Sequence, residues 1–286
     1  MPSESDRRSN LAGVMESMKV NCADLTPLVA NLLSPADVPS LKVLILGGES
    51  ISIALIRKWT GHVKLINTYG PTECAIVSTV AVEATRNSDP ANIGFPTLGR
   101  AWVVNPWNHH QLSPPGAVDE LLMEGPFLAR GYLYNQTKTD EVFVTGVAWA
   151  SLDRRLYKTG DLVRRTDDGS FTFVRRKDTQ VKIRGQRVEL EEVEKHLFLV
   201  SEVSDVAVET LLFEGGQQVL ATFLVPRDQQ TPGDLLLPMT STINAKFQAI
   251  EQDLRGVLPD YMVPSLFIPL RTLPITTSGK LNRTQL

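Results

Sequence analysis

Between Leu41 and Glu73 an apolar run, a short helical pattern and a second apolar run follow one another, and this succession constrains the fold most tightly. Leu41-Lys-Val-Leu-Ile-Leu46 reads as a buried strand that runs into Gly47-Gly48-Glu49. Residues Ile51 to Trp59 read as a short helix, and Val63, Leu65 and Ile66 as a second strand. Strand, helix and strand at this spacing make a βαβ unit, and hence a parallel sheet. The second strand stops in Asn67-Thr-Tyr-Gly-Pro-Thr-Glu73, a turn signal. Open α/β sheets place their ligands at the carboxyl ends of such strands. There Tyr69 can stack on a base, Thr72 can bond a phosphate oxygen and Glu73 can hold magnesium. A strand and turn with an incidental glutamate is the other reading of this stretch taken alone.

The remaining pattern divides the chain. Leu11, Val14, Met15 and Met18 recur at helical spacing behind a cap at Ser9 or Asn10. Residues Asn87 to Asn92 read as a loop. From Gly99 to Val174 short strands alternate with turns, among them the hairpin signal Asp167-Asp168-Gly169, and a distorted β-barrel is expected. A compact α+β unit follows Arg176-Lys177-Asp178. Its strand at Val181 leads to a helix with Leu190, Val193 and Leu197 inward. Strands at Val206–Leu212 and Val219–Val225 flank Gly215-Gly216, and a last helix turns Phe247, Ile250, Leu254 and Leu258 to one side. Asp228 to Thr242, rich in Gln, Thr and Pro, reads as a loop. The expected domains are a partial α/β subdomain over 1–95, a β-barrel-like segment over 96–177 and a small α+β lid over 178–286.

Composition narrows the functional classes. A net charge of −3 gives no reason to expect nucleic acid or an anionic membrane as partner. Cys22 and Cys74 are too few for a disulfide framework, so a reducing cytosol is the default. The amino end lacks an apolar signal region and no apolar run reaches membrane-spanning length, so a cytoplasmic chain is expected. His109-His110 sits in a Pro-rich turn without further ligand spacing, which argues against a metal site. Cys74 has no histidine near it in sequence and reads as a packing residue rather than a nucleophile.

Seven motifs fall in one order: Leu44-Ile-Leu-Gly-Gly-Glu49, Asn67-Thr-Tyr-Gly-Pro-Thr-Glu73, Leu121-Leu-Met-Glu-Gly-Pro-Phe-Leu-Ala-Arg-Gly-Tyr-Leu133, Tyr157-Lys-Thr-Gly-Asp-Leu162, Arg176-Lys-Asp through Leu190, Leu258-Pro-Asp-Tyr-Met-Val-Pro264 and Ser278-Gly-Lys-Leu-Asn-Arg283. The series resembles the adenylation domains of nonribosomal peptide synthetases, within the adenylate-forming (AMP-binding) enzymes. Acyl-CoA ligases and luciferases share the Tyr-Gly-x-Thr-Glu and Thr-Gly-Asp elements. The wording Val181-Lys-Ile-Arg-Gly-x-Arg-Val-Glu-Leu190 is closer to the peptide-synthetase branch.

The resemblance implies ATP-dependent activation of an amino or aryl acid as its acyl-adenylate, then transfer to the phosphopantetheine thiol of a peptidyl carrier protein. That chemistry is chiefly positioning and charge neutralisation. It implies that Tyr69 stacks on adenine, Glu73 holds Mg2+, Asp161 bonds the ribose hydroxyls and Arg176 adds a contact to ribose or phosphate of ATP or AMP. Lys280 would bridge the substrate carboxylate and the α-phosphate. Asp178 would be the hinge about which the small domain rotates, and Gly185 would face the pantetheine. Asp24, Ile45, Gly47, Thr68, Ile76 and Val77 would form the surviving wall of the acid pocket, leaning towards a bulky apolar or aromatic acid. Taken singly, Asp161 reads equally as a cap and Arg176 as a solvated strand-end charge, while Lys280 reads as a surface lysine rather than a catalyst.

One family element is missing from this stretch. A Ser/Thr/Gly-rich phosphate loop ending in Pro-Lys-Gly does not occur between Met1 and Leu286. The chain is therefore expected to correspond to the carboxyl-terminal part of such a domain, with little adenylation by these residues alone. Leu44, Ile45, Leu46 and Leu65 are then expected along an open edge or face. Two alternatives stand beside this reading: a catalytically dead remnant that binds only nucleotide or a partner, and an acyl-CoA ligase.

Overall fold

The structure is a computed structural model and describes residues 10–200, 203–213, 218–227, 235–276 and 281–286. The chain divides into two compact units, residues 1–178 and 179–286.

The first unit opens with helix α1 (Leu11–Ser17), whose Asn10 cap accepts from the Gly13 amide at 3.1 Å. Strand β1 (Cys22–Leu25) leads to α2 (Pro27–Leu32), which has Thr26 as cap and Pro27 in its first turn. Strand β2 (Val43–Leu46), helix α3 (Ile53–Trp59, capped by Ser52) and strand β3 (Lys64–Tyr69) form the expected βαβ unit. Strands β1, β2 and β3 pair in parallel. Strand β4 (Thr79–Ala81) returns antiparallel to β3, and β5 (Asn92–Pro96) pairs with β4.

Strands β6 (Arg100–Asn105), β7 (Asn108–Leu112) and β8 (Val118–Glu124) follow. Helix α4 (Gln136–Val142), the short β9 (Phe143–Val144), β10 (Leu156–Arg165) and β11 (Phe171–Arg176) complete the unit. The strands join in one mixed sheet of order β1-β2-β3-β4-β5-β11-β10-β8-β6-β7, with β9 beside β10. This is the α/β class expected, but residues 96–177 do not close into a barrel. Strand β11 spends its second edge on β5, pairing Phe171 with Gly94 and Thr172 with Asn92, which carries the sheet on into the parallel strands. The far edge, β7, is a largely exposed Asn-His-His-Gln run, a polar margin that discourages further pairing. His109 and His110 thus lie on a strand, not in a turn.

Leu44, Leu46 and Leu65 are not open to solvent. They are at most 1% exposed, packed with Met15, Ala30, Ile56 and Trp59 from the three helices. Ile45 points to the opposite face and is half-buried. A second core gathers Cys74, Leu121, Met123, Tyr157, Val163 and Phe171 beneath the β8–β10–β11 part of the sheet.

The second unit begins with the hairpin β12 (Gln180–Ile183) and β13 (Gln186–Glu189). Its two-residue loop, Arg184-Gly185, has φ of +50° and +75°, the requirement of a type I′ turn. Helix α5 (Leu190–Val200) buries Leu190, Val193 and Leu197 against β14 (Val203–Leu212) and β15 (Gln218–Pro226). Helix α6 (Ser241–Arg255), capped by Thr240, adds Ile243, Phe247, Ile250 and Leu254. It begins inside the stretch expected to be loop, because the Thr240 hydroxyl supplies the cap. Leu258 is buried but lies beyond the helix end. Strand β16 (Leu266–Pro269) pairs parallel to β15. Gly215-Gly216 lies outside the described residues.

Candidate functional site

The end of β3 is built by backbone constraint. After Tyr69 the chain takes a single 3₁₀ turn over Thr72–Cys74, then passes through Ala75 and Ile76 at φ of +52° and +75°. A β-branched residue in that region is strained, and such strain persists where neighbouring structure fixes it. The returning chain presses on Gly70, where a Cβ would stand 2.3 Å from the Ile76 carbonyl oxygen. The Ser78 amide then donates to the Tyr69 carbonyl at 2.8 Å, starting β4.

This turn buries Glu73, 6% exposed, and leaves Thr72 in solvent. The Glu73 carbonyl accepts from the Ala129 amide at 2.8 Å, and its carboxylate Oε1 accepts from the Tyr132 hydroxyl. Cys74 is fully buried, and burial pushes its thiol up to about 12, so it stays protonated and unreactive.

A second group assembles across the β10–β11 pair. Opposite β8, β10 carries extra residues between Lys158 and Leu162. The resulting bulge re-aims Thr159-Gly160-Asp161. Asp161 then pairs with Arg176 in register. Asp161 is 6% exposed, and its Oδ1 accepts from Arg176 Nη1 at 2.9 Å while its Oδ2 accepts from the Tyr69 hydroxyl. Arg176 also donates Nη1 to the Thr159 carbonyl at 2.7 Å, and Nε and Nη2 to the two Asp178 carboxylate oxygens at 2.8 and 2.6 Å. Gly160, at φ +72°, leaves room for this, since a Cβ there would come within 2.7 Å of Arg176 Nη2. Burial, and then the Asp161 charge, push the Tyr69 phenol well above the ordinary tyrosine value.

The sequence-predicted residues thus sort by contact. Tyr69, Asp161, Arg176 and Asp178 form one hydrogen-bonded chain. Glu73 takes Tyr132 as its partner instead. Asp24 and Ile45 pair in register across β1 and β2, with Ile66 next on β3, in one row. Asp24 is exposed, so water can satisfy its carboxylate. A Cβ on Gly47 would lie 2.3 Å from Thr68 Oγ1, and Thr68 donates to the Leu46 carbonyl at 3.0 Å. Ile76, 71% exposed, lies within the strained turn and Val77 follows it. Lys280 lies outside the described residues.

Sequence reasoning missed three supports. Tyr132 holds Glu73. Thr159 accepts the Asp161 amide at 3.0 Å and donates to the Leu121 carbonyl at 2.8 Å. Glu120, 1% exposed, accepts the Gly160 amide at 3.2 Å and Lys177 Nζ at 2.7 Å, pinning both sides of the bulge. Glu120 follows Asp119 at the head of the apolar run Leu121-Leu122-Met123, and of this acidic pair it is the one the strand buries.

Both Asp161 oxygens already accept one donor, and a carboxylate has about four lone-pair sites, so capacity for hydroxyl donors remains. Among the described residues no three or more His, Cys, Asp or Glu side chains gather as a metal site. Magnesium is commonly held by one or two carboxylates plus substrate phosphates, so a single buried carboxylate such as Glu73 fits that ion. No helix among the described residues is long and apolar enough to cross a membrane.

A model of the AMP-binding enzyme family matches residues 1–133. The chain is 44% identical, over its whole length, to nonribosomal peptide synthetase 4 of Gibberella zeae, of which it spans 4%. Among solved structures, the Vibrio cholerae adenylation domain AlmE, in complex with glycyl-adenosine-5'-phosphate, gives a TM-score of 0.79 at 25% identity over 99% of this chain and 52% of that one. Holo-PA1221, a protein containing adenylation and PCP domains, gives 0.77 at 24% identity over 96% and 46%. This chain belongs to the AMP-binding family of adenylate-forming enzymes, as an adenylation-domain sequence of the nonribosomal peptide synthetase type.

Proposed function

We propose that these residues form the adenosine and magnesium side of a centre that activates an amino or aryl acid with ATP and hands the acyl group to the phosphopantetheine thiol of a peptidyl carrier protein. The observation that carries this reading is the chain Tyr69–Asp161–Arg176–Asp178 at the strand ends, built on the bulge of β10. Asp161 accepts the ribose hydroxyls through its remaining lone pairs, while Arg176 fixes its rotamer and balances its charge. The Tyr69 ring carries the adenine, and the Thr72 hydroxyl meets a phosphate oxygen.

The acid's carboxylate oxygen attacks the α-phosphorus, and the bond to the pyrophosphate oxygen breaks. Two anions meet in that step, so positive charge must be supplied where they approach. Lys280 is the residue assigned to it. Glu73 would hold Mg2+, which would supply charge neutralisation at the phosphates. Asp178, the last residue of the first unit, is assigned the hinge. Asp24, Ile45, Gly47, Thr68, Ile76 and Val77 line the acid, with an apolar or aromatic side chain favoured. The glycyl adenylate of AlmE and the PCP domain of PA1221 support the acid class and the carrier by family analogy.

Pyrophosphate exchange across amino, aryl and fatty acids tests the reading. Exchange driven by an amino or aryl acid is expected when these residues are joined to an upstream half bearing the phosphate loop. Little is expected from the 286 residues alone, since a loosely held triphosphate forfeits positional advantage. Exchange with fatty acids only would replace the reading by an acyl-CoA ligase. Nucleotide binding without exchange in the joined protein would leave a binding remnant.

A further inference from the structure

We propose that Tyr132 is a positioning residue for the Glu73 carboxylate, so that the loop at 127–132 sets the geometry of the magnesium ligand. The proposal rests on the assignment of Glu73 to magnesium made above. Tyr132 lies 59 positions from Glu73 in sequence, yet its hydroxyl donates to Glu73 Oε1. The two segments are also tied through backbone, by the Ala129 amide on the Glu73 carbonyl at 2.8 Å.

The loop is clamped from the other side. Arg155 donates Nη1 to the Ala129 carbonyl at 2.6 Å and Nη2 to the Arg130 carbonyl at 2.7 Å. Its guanidinium carbon lies 4.2 Å from the Phe143 ring centre, a cation–π contact. Thr139, itself buried, accepts the Tyr132 amide at 2.9 Å and donates to the Asn135 carbonyl at 2.8 Å. Gly131, at φ +150°, permits the approach, because a Cβ there would meet Thr139 Cγ2 at 2.6 Å. The Tyr132 ring packs 6.2 Å from Phe143. The loop is thereby held at Ala129, Arg130 and the Tyr132 amide, and the ring has Phe143 as a neighbour.

A ligating carboxylate needs such an outer partner. The hydroxyl holds Oε1 in place, which would fix the orientation in which the carboxylate meets the ion. Loss of partners of this kind typically lowers metal affinity about 10–100-fold.

The test uses Mn2+ as probe for the full 286-residue chain, titrated by water-proton relaxation with ATP present, alongside ATP titrated in EDTA. Tyr132→Phe keeps the ring against Phe143 and removes only the hydroxyl, and circular dichroism checks that the variant is folded. The expected result is a fall of about tenfold or more in ATP-dependent Mn2+ affinity, with metal-free ATP affinity unchanged. A merely structural role would lower both together, and that result overturns the proposal. So does unchanged Mn2+ affinity in Tyr132→Phe while Glu73→Gln loses it, an outcome that leaves the proposed function standing. If Glu73→Gln also binds Mn2+ normally, or the wild type shows no ATP-dependent Mn2+ binding, the magnesium assignment falls and takes the proposal with it.

Discussion

Arg176 reaches past Gly160 to hold two carboxylates at once, Asp161 at 2.9 Å and Asp178 at 2.6 Å. The acid assigned to the ribose and the acid assigned to the hinge therefore share one cation. Four of the five guanidinium donors are committed to protein acceptors, Asp161, Asp178 and the Thr159 carbonyl.

Gly160→Ala tests that arrangement. The new Cβ meets Arg176 Nη2 at 2.7 Å and forces a non-glycine residue to φ +72°. A loss of about 2 kcal/mol in chemical denaturation is expected, with nucleotide binding weakened because Arg176 must move. A variant as stable as wild type would show that the guanidinium has room to spare.

The two cysteines make a chemical test. At pH 8 a thiol reagent is expected to label exposed Cys22 in the folded protein and both Cys22 and Cys74 in denaturant. The Cys74 thiol is raised by burial to about 12, while an unfolded thiol titrates near 8.5. Its contribution to stability is thus fully present below about pH 8.5 and is lost as pH rises towards 12, because the unfolded state releases its proton first. Denaturation midpoints measured from pH 8 upward should fall less steeply in Cys74→Ala than in wild type. Equal slopes would place the Cys74 thiol at its ordinary value.

Residues 179–286 are expected to fold as an isolated fragment. They carry their own apolar cluster, with Val188, Val193, Leu197, Leu224 and Leu254 fully buried. A cooperative thermal transition in the fragment would support this, and Leu197→Ala should cost about 3 kcal/mol. A fragment with no cooperative transition would contradict it.

The βαβ core was legible because its signals are local: an apolar run, a short helical pattern and a second apolar run. The hairpin at Asp167-Asp168-Gly169 was legible for the same reason, and β10 and β11 flank it. The Ser52 and Thr240 caps were not read from the sequence, since a hydroxyl residue serves a loop as readily as a helix start. What else escaped depends on register between distant strands. The bulge that turns Asp161 towards Arg176 exists only relative to β8, and the Tyr132 partner of Glu73 joins segments 59 positions apart. The open sheet escaped too, because only the β5–β11 pairing distinguishes it from a barrel. Local periodicity carries no trace of such pairings.

The central claim is that Tyr69, Asp161 and Arg176 form an adenosine site, and calorimetric titration of the 286-residue chain with AMP tests it most directly. Weak but measurable binding is predicted, reduced beyond detection in Asp161→Ala because two hydroxyl bonds, each about 1 kcal/mol, vanish with the site's organising carboxylate. The folded variant should stay folded, since Arg176 retains Asp178 and the Thr159 carbonyl as acceptors. A folded wild type that takes up no AMP, or one whose AMP affinity survives Asp161→Ala, would contradict the account.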